Sequence, residues 1–160
     1  MLATPTRSSG LFLWGLLLVS MGVFIFSKQI TFAVNTSASV PYRFFMVIKG
    51  KALSKGDYAS FYAPGNGRYC DETLFTKQVA GIAGDLVTAS NKTIWINEQK
   101  IGQVLERDSK GHFLSASSTG EIPVGFYFMA GIHEKSFDSR YQAMGFIPTA
   151  AIVGRAYPLF

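Results

Sequence analysis

An uncharged apolar stretch near the amino terminus constrains this chain more than any other feature of its sequence. The stretch covers 20 residues, Ser8 to Ser27, and lies between Arg7 and Lys28. A helix of this length, rising about 1.5 Å per residue, reaches about 30 Å, which matches the hydrocarbon core of a bilayer. We therefore predict a single transmembrane helix in this segment.

A removable secretory signal is the alternative interpretation, with Ala33 as the small residue at its cleavage point. We favour a retained anchor because the apolar run exceeds the usual core of a signal, about 7 to 15 residues. The few charged residues beside the helix barely determine its orientation in the membrane. Large folded segments, however, usually cross the membrane whatever these charges are. We therefore expect residues 1–34 to form a tail and anchor, and residues 35–160 to form one exported domain.

Composition excludes several other classes of protein. Of 160 residues 14% are aromatic, and the 16 Gly and 6 Pro are spread out, which excludes a disordered, collagen-like or coiled-coil chain. Cys70 is the single cysteine, so neither an internal disulfide nor a multi-cysteine metal site can form, and we expect no metal or other cofactor. The net charge of +5 is scattered along the chain, so we expect no nucleic-acid partner.

Residues 35–160 have the pattern of a mainly β domain. Short runs rich in aromatic and β-branched residues alternate with turns that contain Gly, Pro or Asn. This pattern predicts an antiparallel β sandwich or barrel with little helix after the membrane span. The predicted strands are 43–49, 57–62, 74–79, 85–89, 93–96, 126–130 and 152–156, with turns at 64–67 and 97–100 and a loop at 109–120.

Few side chains in this domain are suited to nucleophilic catalysis. Cys70 lies beside two acids, which disfavour a reactive thiolate. His112 and His133 are interpreted as ordinary surface imidazoles, so we expect no Ser-His-Asp triad. The remaining candidate nucleophile is a serine whose general base is a residue other than histidine.

Ser39 lies in the segment NTSASVP, a few residues beyond the predicted membrane span. Pro41 fixes its own φ and biases Val40 away from helix, which presents Ser39 on a stiff, extended backbone. A Ser-rich tether after the anchor is the alternative interpretation.

Lys77 lies among alternating apolar residues that predict a strand. Its amine can accept a proton from a hydroxyl only when neutral, which its usual pKa of about 10.4 prevents at neutral pH. Burial disfavours the ammonium form, and a pKa lower by about 2 to 3 would leave a useful neutral fraction. A solvated strand lysine is the alternative.

A third segment, SFDSRY at 136–141, contains Ser136, Asp138 and Arg140. Ser136 is able to hydrogen-bond a neutral lysine and hold it in place. Asp138 and Arg140 are two residues apart, so they can form a charge-assisted pair that braces a loop. A solvated polar turn is the alternative for each of these residues.

Together, these segments resemble the type I signal peptidase family, whose members are membrane-anchored serine endopeptidases with a Ser/Lys dyad. The resemblance runs from about Asn35 to the carboxyl terminus. Its most specific part is SFDSRY with GFIP and VGRA after it, similar to the Ser-x-Asp-Ser-Arg-Tyr, Gly-x-Val-Pro and Gly-Arg-Ala of the family. The lysine segment is similar to Lys-Arg-x-x-Gly-x-Pro-Gly-Asp, with these residues in step: Lys77, Gly81, Gly84 and Asp85.

The resemblance implies that Ser39 is the nucleophile and Lys77 its general base. It also implies that the amide of Ser39 and the hydroxyl of Ser37 form the oxyanion hole. The remaining implied roles are supporting ones: Ser136 orients Lys77, while Asp138 and Arg140 shape the site.

Three departures from the usual pattern indicate a subgroup. Only Val40 separates Ser39 from the following proline where most members have two residues, Ala83 stands where proline is common, and GIHE at 131–134 replaces a Gly-Asp-Asn type of run. The chain also lacks room for the large second domain of some bacterial enzymes. These features are similar to the conjugative-transfer, TraF-type peptidases, which mature pilin precursors and in some cases join the pilin ends into a ring.

We therefore expect a peptidase of the bacterial inner membrane, with its catalytic domain on the periplasmic side. Its expected partners are a pilin or other exported precursor, cleaved after a small residue, and membrane lipid, into which Phe44–Val47 dip unless they form a core strand. Hydrolysis and cyclisation both remain open. The alternatives are a general signal peptidase and a non-catalytic subunit of a secretion or conjugation channel.

Overall fold

The computed structural model describes residues 7–64, 73–108 and 111–160. It begins with helix α1, Arg7–Ser27, in the segment where the sequence predicts a membrane span. The stretch Gly10–Ser27 has a mean hydropathy of 2.1, and none of it is buried against the rest of the chain. By length and composition, α1 can cross a membrane.

The described residues after α1 form eleven strands and one 3-10 helix, Thr149–Ala151. The first six strands are β1 (Ile30–Val34), β2 (Phe44–Ile48), β3 (Tyr58–Tyr62), β4 (Leu74–Gly81), β5 (Leu86–Ser90) and β6 (Thr93–Ile96). The other five are β7 (Gln99–Gln103), β8 (Gly120–Glu121), β9 (Phe126–Ala130), β10 (Ile147–Pro148) and β11 (Ile152–Pro158).

These strands form two sheets in which the described pairings are all antiparallel. The larger sheet has seven strands in the order β1-β2-β11-β3-β4-β9-β10, and the smaller has four in the order β7-β6-β5-β8. The predicted fold class, mainly antiparallel β with one apolar amino-terminal helix, is confirmed.

All seven predicted strands are present, and β6 and β9 have the predicted bounds. Four observed strands are not among those predicted: β1, β7, β8 and β10. Of these, Ile30–Val34, which the sequence predicts to belong to the anchor segment, forms β1 and pairs with β2. The turn predicted at 97–100 is shorter than expected because β7 already begins at Gln99. Part of the turn predicted at 64–67 and all of Cys70 lie outside the described residues.

Strand β9 lies between two hydrophobic clusters because its side chains alternate between the faces of the sheet. Phe128 and Ala130 pack with the inner residues of the smaller sheet. Met129 points the other way and packs with Val79 of β4 and Ile147 of β10. The carboxyl end of β9 is therefore fixed from both faces, and the loop that follows it carries the candidate site.

A third cluster joins β1, β2 and β11 near the membrane anchor. Phe45 and Val47 of β2 are fully buried in it. They are core residues, so the lipid-dipping interpretation is wrong for these two. Phe44, on the opposite face of β2, is 40% exposed and contacts the ring of Phe160.

Candidate active site

Ser39 lies in a tight loop between β1 and β2 that Asn35 holds together. The Asn35 side-chain amide donates hydrogen bonds to the carbonyls of Ser37 (2.6 Å) and Tyr42 (3.2 Å), and its oxygen accepts one from the Ser37 hydroxyl (2.9 Å). Val40 is buried in the cluster beneath this loop. Ser39 itself is only 6% exposed, which excludes the loose tether as an interpretation.

Lys77 lies in the middle of β4, with β3 on one side and β9 on the other. Its side chain extends from the same face of the strand as Phe75 and Val79, which pack in a hydrophobic cluster. Lys77 is 2% exposed. Lys77 is therefore a buried strand lysine, and the alternative of a solvated lysine is wrong.

Ser136, Asp138 and Arg140 lie on the loop after β9, and all three are buried. The guanidinium of Arg140 donates two hydrogen bonds of 2.8 Å to the two carboxylate oxygens of Asp138. Asp138 also accepts a bond of 2.9 Å from the amide of Gly131, and Arg140 donates to the carbonyls of His133 and Ser136. The predicted ion pair is thus present, and it fixes the loop that holds Ser136.

These segments meet in a buried chain of hydrogen bonds. The amine of Lys77 lies 2.9 Å from the Ser136 hydroxyl, and that hydroxyl lies 3.2 Å from the hydroxyl of Ser39. Among the described residues, Lys77 hydrogen-bonds Ser136 and not Ser39 directly. Hydroxyl hydrogens rotate, so the chain can run in either direction as the amine gains or loses a proton.

The pKa of Lys77 follows from its surroundings. Burial lowers the pKa from 10.5 to about 8; Asp138 works against this change and Arg140 adds to it. At pH 7 about a tenth of an amine with that pKa is neutral. A hydroxyl linked through a second hydroxyl to such an amine can lose its proton when it attacks an electrophile.

Ser37 and Ser39 place two hydrogen-bond donors next to the Ser39 hydroxyl. The hydroxyl of Ser37 lies 2.9 Å from that of Ser39 and 3.4 Å from the Ser39 amide nitrogen. In this structure the Ser39 amide donates to the Ser37 hydroxyl oxygen. Both groups lie beside the Ser39 hydroxyl, so they can donate to an oxygen of a bound substrate once they exchange this bond for it.

Two residues at the site were not singled out from the sequence. Asn35 stabilises the Ser39 loop through its side-chain hydrogen bonds. Its position as a polar residue at the start of a short Ser-rich loop is the sequence feature that indicates this role. Gly131 is the second: a Cβ there would overlap the Ser136 hydroxyl and lie 2.9 Å from the Ser39 carbonyl oxygen. No sequence pattern distinguishes this glycine from an ordinary turn residue.

The two histidines lie away from the chain of hydrogen bonds. His112 is exposed and pairs with Asp108 at 3.1 Å. The exposed His133 accepts a hydrogen bond on its ring nitrogen from the Lys135 amide. Neither ring contacts Ser39, within the described part of the chain.

Comparisons with known proteins identify the family. A crystal structure of a signal peptidase I from Enterococcus faecalis V583 is similar at 23% sequence identity and a TM-score of 0.41, covering 66% of this chain and 97% of that one. No curated protein matches significantly. Residues 8–160 match the family described as "Signal peptidase, peptidase S26". The chain therefore belongs to the S26 signal peptidases, which are serine endopeptidases.

Proposed function

We propose that Ser39 is the nucleophile of this peptidase and Lys77 its general base. The buried chain from Ser39 through Ser136 to Lys77 is the observation that supports these roles. An ammonium group is costly to bury among apolar side chains, so a lysine kept there favours a catalytic protein over a non-catalytic channel subunit.

Ser136 connects the two groups in this mechanism. As Ser39 attacks the scissile carbonyl, its proton passes to the Ser136 oxygen while the Ser136 proton passes to the neutral amine of Lys77. The ammonium then returns a proton by the same path to the departing amine of the substrate. An acyl-enzyme ester on Ser39 and the free carboxyl-terminal fragment result.

The amide of Ser39 and the hydroxyl of Ser37 stabilise the oxyanion that forms during the attack. Their donors lie side by side at the nucleophile. Removal of one such donor commonly lowers the rate by about 100-fold or more. Asp138 and Arg140 keep the Ser136 loop in place and take no part in proton transfer.

The proposed substrate is a membrane-inserted precursor, expected to be a conjugative pilin, that is cut after a small residue. The apolar α1 supports a site close to a membrane. We propose that this is a bacterial inner membrane, with the domain on its periplasmic side. The short nucleophile loop, with one residue between Ser39 and Pro41, supports the pilin-processing subgroup. Water or an amine can resolve the acyl-enzyme, giving hydrolysis or cyclisation.

A cleavage assay in detergent tests the roles of the two residues. We expect Ser39→Ala and Lys77→Ala each to lower kcat/KM on a pilin precursor by at least about 1,000-fold, in line with losses of a nucleophile or its base. A variant of either residue that cuts as fast as the parent would exclude the dyad.

A second assay tests the substrate range, because family membership fits a general signal peptidase equally well. The same preparation is given a pilin precursor and an unrelated secreted precursor at equal concentrations. The pilin-specific function predicts that only the pilin is cut efficiently. Equal cleavage of both would instead support general signal-peptide removal.

A further inference from the structure

A groove of about 390 Å³ leads away from the candidate active site. Gly131 and Ile132 line the end next to Ser39, and the amide of Ile132 donates a hydrogen bond of 2.9 Å to the Ser39 carbonyl. Gln78 and Ala80, on one face of β4, line the floor of the groove. A peptide whose scissile bond lies at Ser39 would therefore extend along this groove.

One wall of the groove is formed by β7, which is an edge strand of the smaller sheet. An edge strand leaves one row of backbone hydrogen-bonding groups unused by its neighbour. Extended peptides bind such edges through the main chain, and side chains along the groove then determine which sequences fit. The side chains of this wall would therefore influence which peptides bind.

The charged side chains that line the groove are both basic. Lys55 and Lys100 are exposed, and none of the described lining residues is an Asp or a Glu. Lys55 pairs with Asp85 at 2.8 Å, so its charge is largely balanced. Lys100 of β7 makes no ion pair with any described residue, which leaves a positive charge in the wall.

We propose that Lys100 makes the groove select peptides with an acidic side chain near the cleavage point. The proposal rests on the function proposed above, because it takes the groove to hold the substrate of Ser39. The opposite charge of a Glu or Asp would be attracted to the unpaired ammonium, whereas a basic residue would be repelled. Lys100 thus acts on substrate choice and not on bond cleavage.

Peptide binding to the full-length Ser39→Ala chain in non-ionic detergent tests this proposal. The probes are fluorescent peptides of equal length in which one position, moved stepwise along the peptide, is Glu, Gln or Lys. At one or more positions we expect Glu to bind about 3- to 5-fold more tightly than Gln, as an accessible ion pair provides. Added salt should reduce the difference because it screens exposed charges.

Two further variants on the same background identify the lysine responsible. Lys100→Glu should reverse the preference, so that the Lys peptide binds more tightly than the Glu peptide. Lys51→Glu is the matched control: it makes the same change of charge at an exposed lysine outside the groove lining, and the parent preference should remain.

Equal binding of the Glu, Gln and Lys peptides, an absence of binding, or the same response from Lys51→Glu as from Lys100→Glu would each overturn the proposal. Because binding is measured without cleavage, these results are distinct from a failure of the proposed function. Cleavage of a peptide by Ser39→Ala would contradict the proposed nucleophile while leaving the measured charge preference valid.

Discussion

Lys77 is surrounded on β4 by side chains that an amine does not favour. Phe75 and Val79 flank it on the same face, and its only polar contact among the described residues is the Ser136 hydroxyl. The resulting pKa of about 8 lies about 2.5 below the usual value, which corresponds to about 3 kcal/mol of destabilisation of the charged form. The same burial therefore leaves part of the amine neutral, and so able to accept a proton, at physiological pH, and it weakens the fold.

The first prediction concerns the pH dependence of activity. Only the neutral amine accepts a proton, so kcat/KM should rise as the pH increases from 6 to 9, with a midpoint near the Lys77 pKa of about 8. Initial rates on a peptide substrate at low concentration give this profile. A flat profile, or one that falls over this range, would contradict a lysine base.

The second prediction concerns the stability of Lys77→Met. The folded-state pKa is lowered, so the unfolded chain binds the proton more tightly and stability is reduced most below pH 8. We expect the variant to lose activity and to raise Tm at pH 7 by about 3 to 8 °C. Thermal unfolding in detergent provides the measurement, with Lys51→Met as control.

The stability difference between Lys77→Met and the parent should decrease between pH 8 and 10.5, where the amine becomes neutral in the unfolded chain as well. A variant less stable than the parent at pH 7 would show that burial of the amine does not destabilise the fold.

The third prediction concerns the backbone at Gly131. The added methyl group of Gly131→Ala would overlap the Ser136 hydroxyl, which must move and break its bond to Lys77 or Ser39. We expect kcat/KM to fall by at least about 100-fold, because misplacing a catalytic group by about 1 Å has effects of this size. Gly15→Ala, with open space around its Cβ, is the control. Parent-like rates for Gly131→Ala would show that the Ser136 contact is dispensable.

Among the elements, the inner strands could be predicted from sequence, whereas the four edge strands, β1, β7, β8 and β10, could not. Strands such as β4 and β9 carry aromatic and β-branched residues between clear turns. Ile30–Val34 follows the apolar run of the membrane helix after only Lys28 and Gln29, so the sequence pattern assigns it to the anchor segment. Only pairing with β2 and burial of Ala33 show that it is part of the sheet.

The candidate site was predictable residue by residue but not as a connected arrangement. The sequence predicts Ser39, Lys77 and Ser136 one by one as candidates, yet the position of Ser136 between the other two depends on how the loop after β9 folds. That loop is fixed by the contacts of Asp138 with Arg140 and the Gly131 amide. Long-range contacts of this kind have no local sequence pattern.

The fourth prediction tests β1 as a structural element. A chain that starts at Gln29 keeps β1, whereas one that starts at Asn35 loses it and exposes the edge of β2. We expect the shorter chain to have a Tm lower by at least about 5 °C, because it loses the burial of Ala33 and five residues of strand pairing. Equal melting temperatures would mean that β1 contributes nothing to the folded domain.

In the molecule as a whole, the anchor and the candidate site are close along the chain. Only Lys28 and Gln29 separate α1 from β1, and Ser39 follows five residues after β1 ends at Val34. If α1 spans a membrane, a connection this short holds Ser39 near the membrane surface, which would raise its effective concentration toward substrates in the same membrane. In the proposed function, the anchor and the Ser39 loop would therefore act together on a membrane-inserted precursor.

Detection of the acyl-enzyme tests this account most directly. The full-length chain and a pilin precursor are mixed in liposomes, quenched with acid within one turnover, and analysed by intact mass and peptide mapping. We predict an added mass equal to the amino-terminal fragment of the precursor, attached to Ser39 and absent from Ser39→Ala. Attachment to another residue, or continued cleavage by Ser39→Ala, would contradict the account.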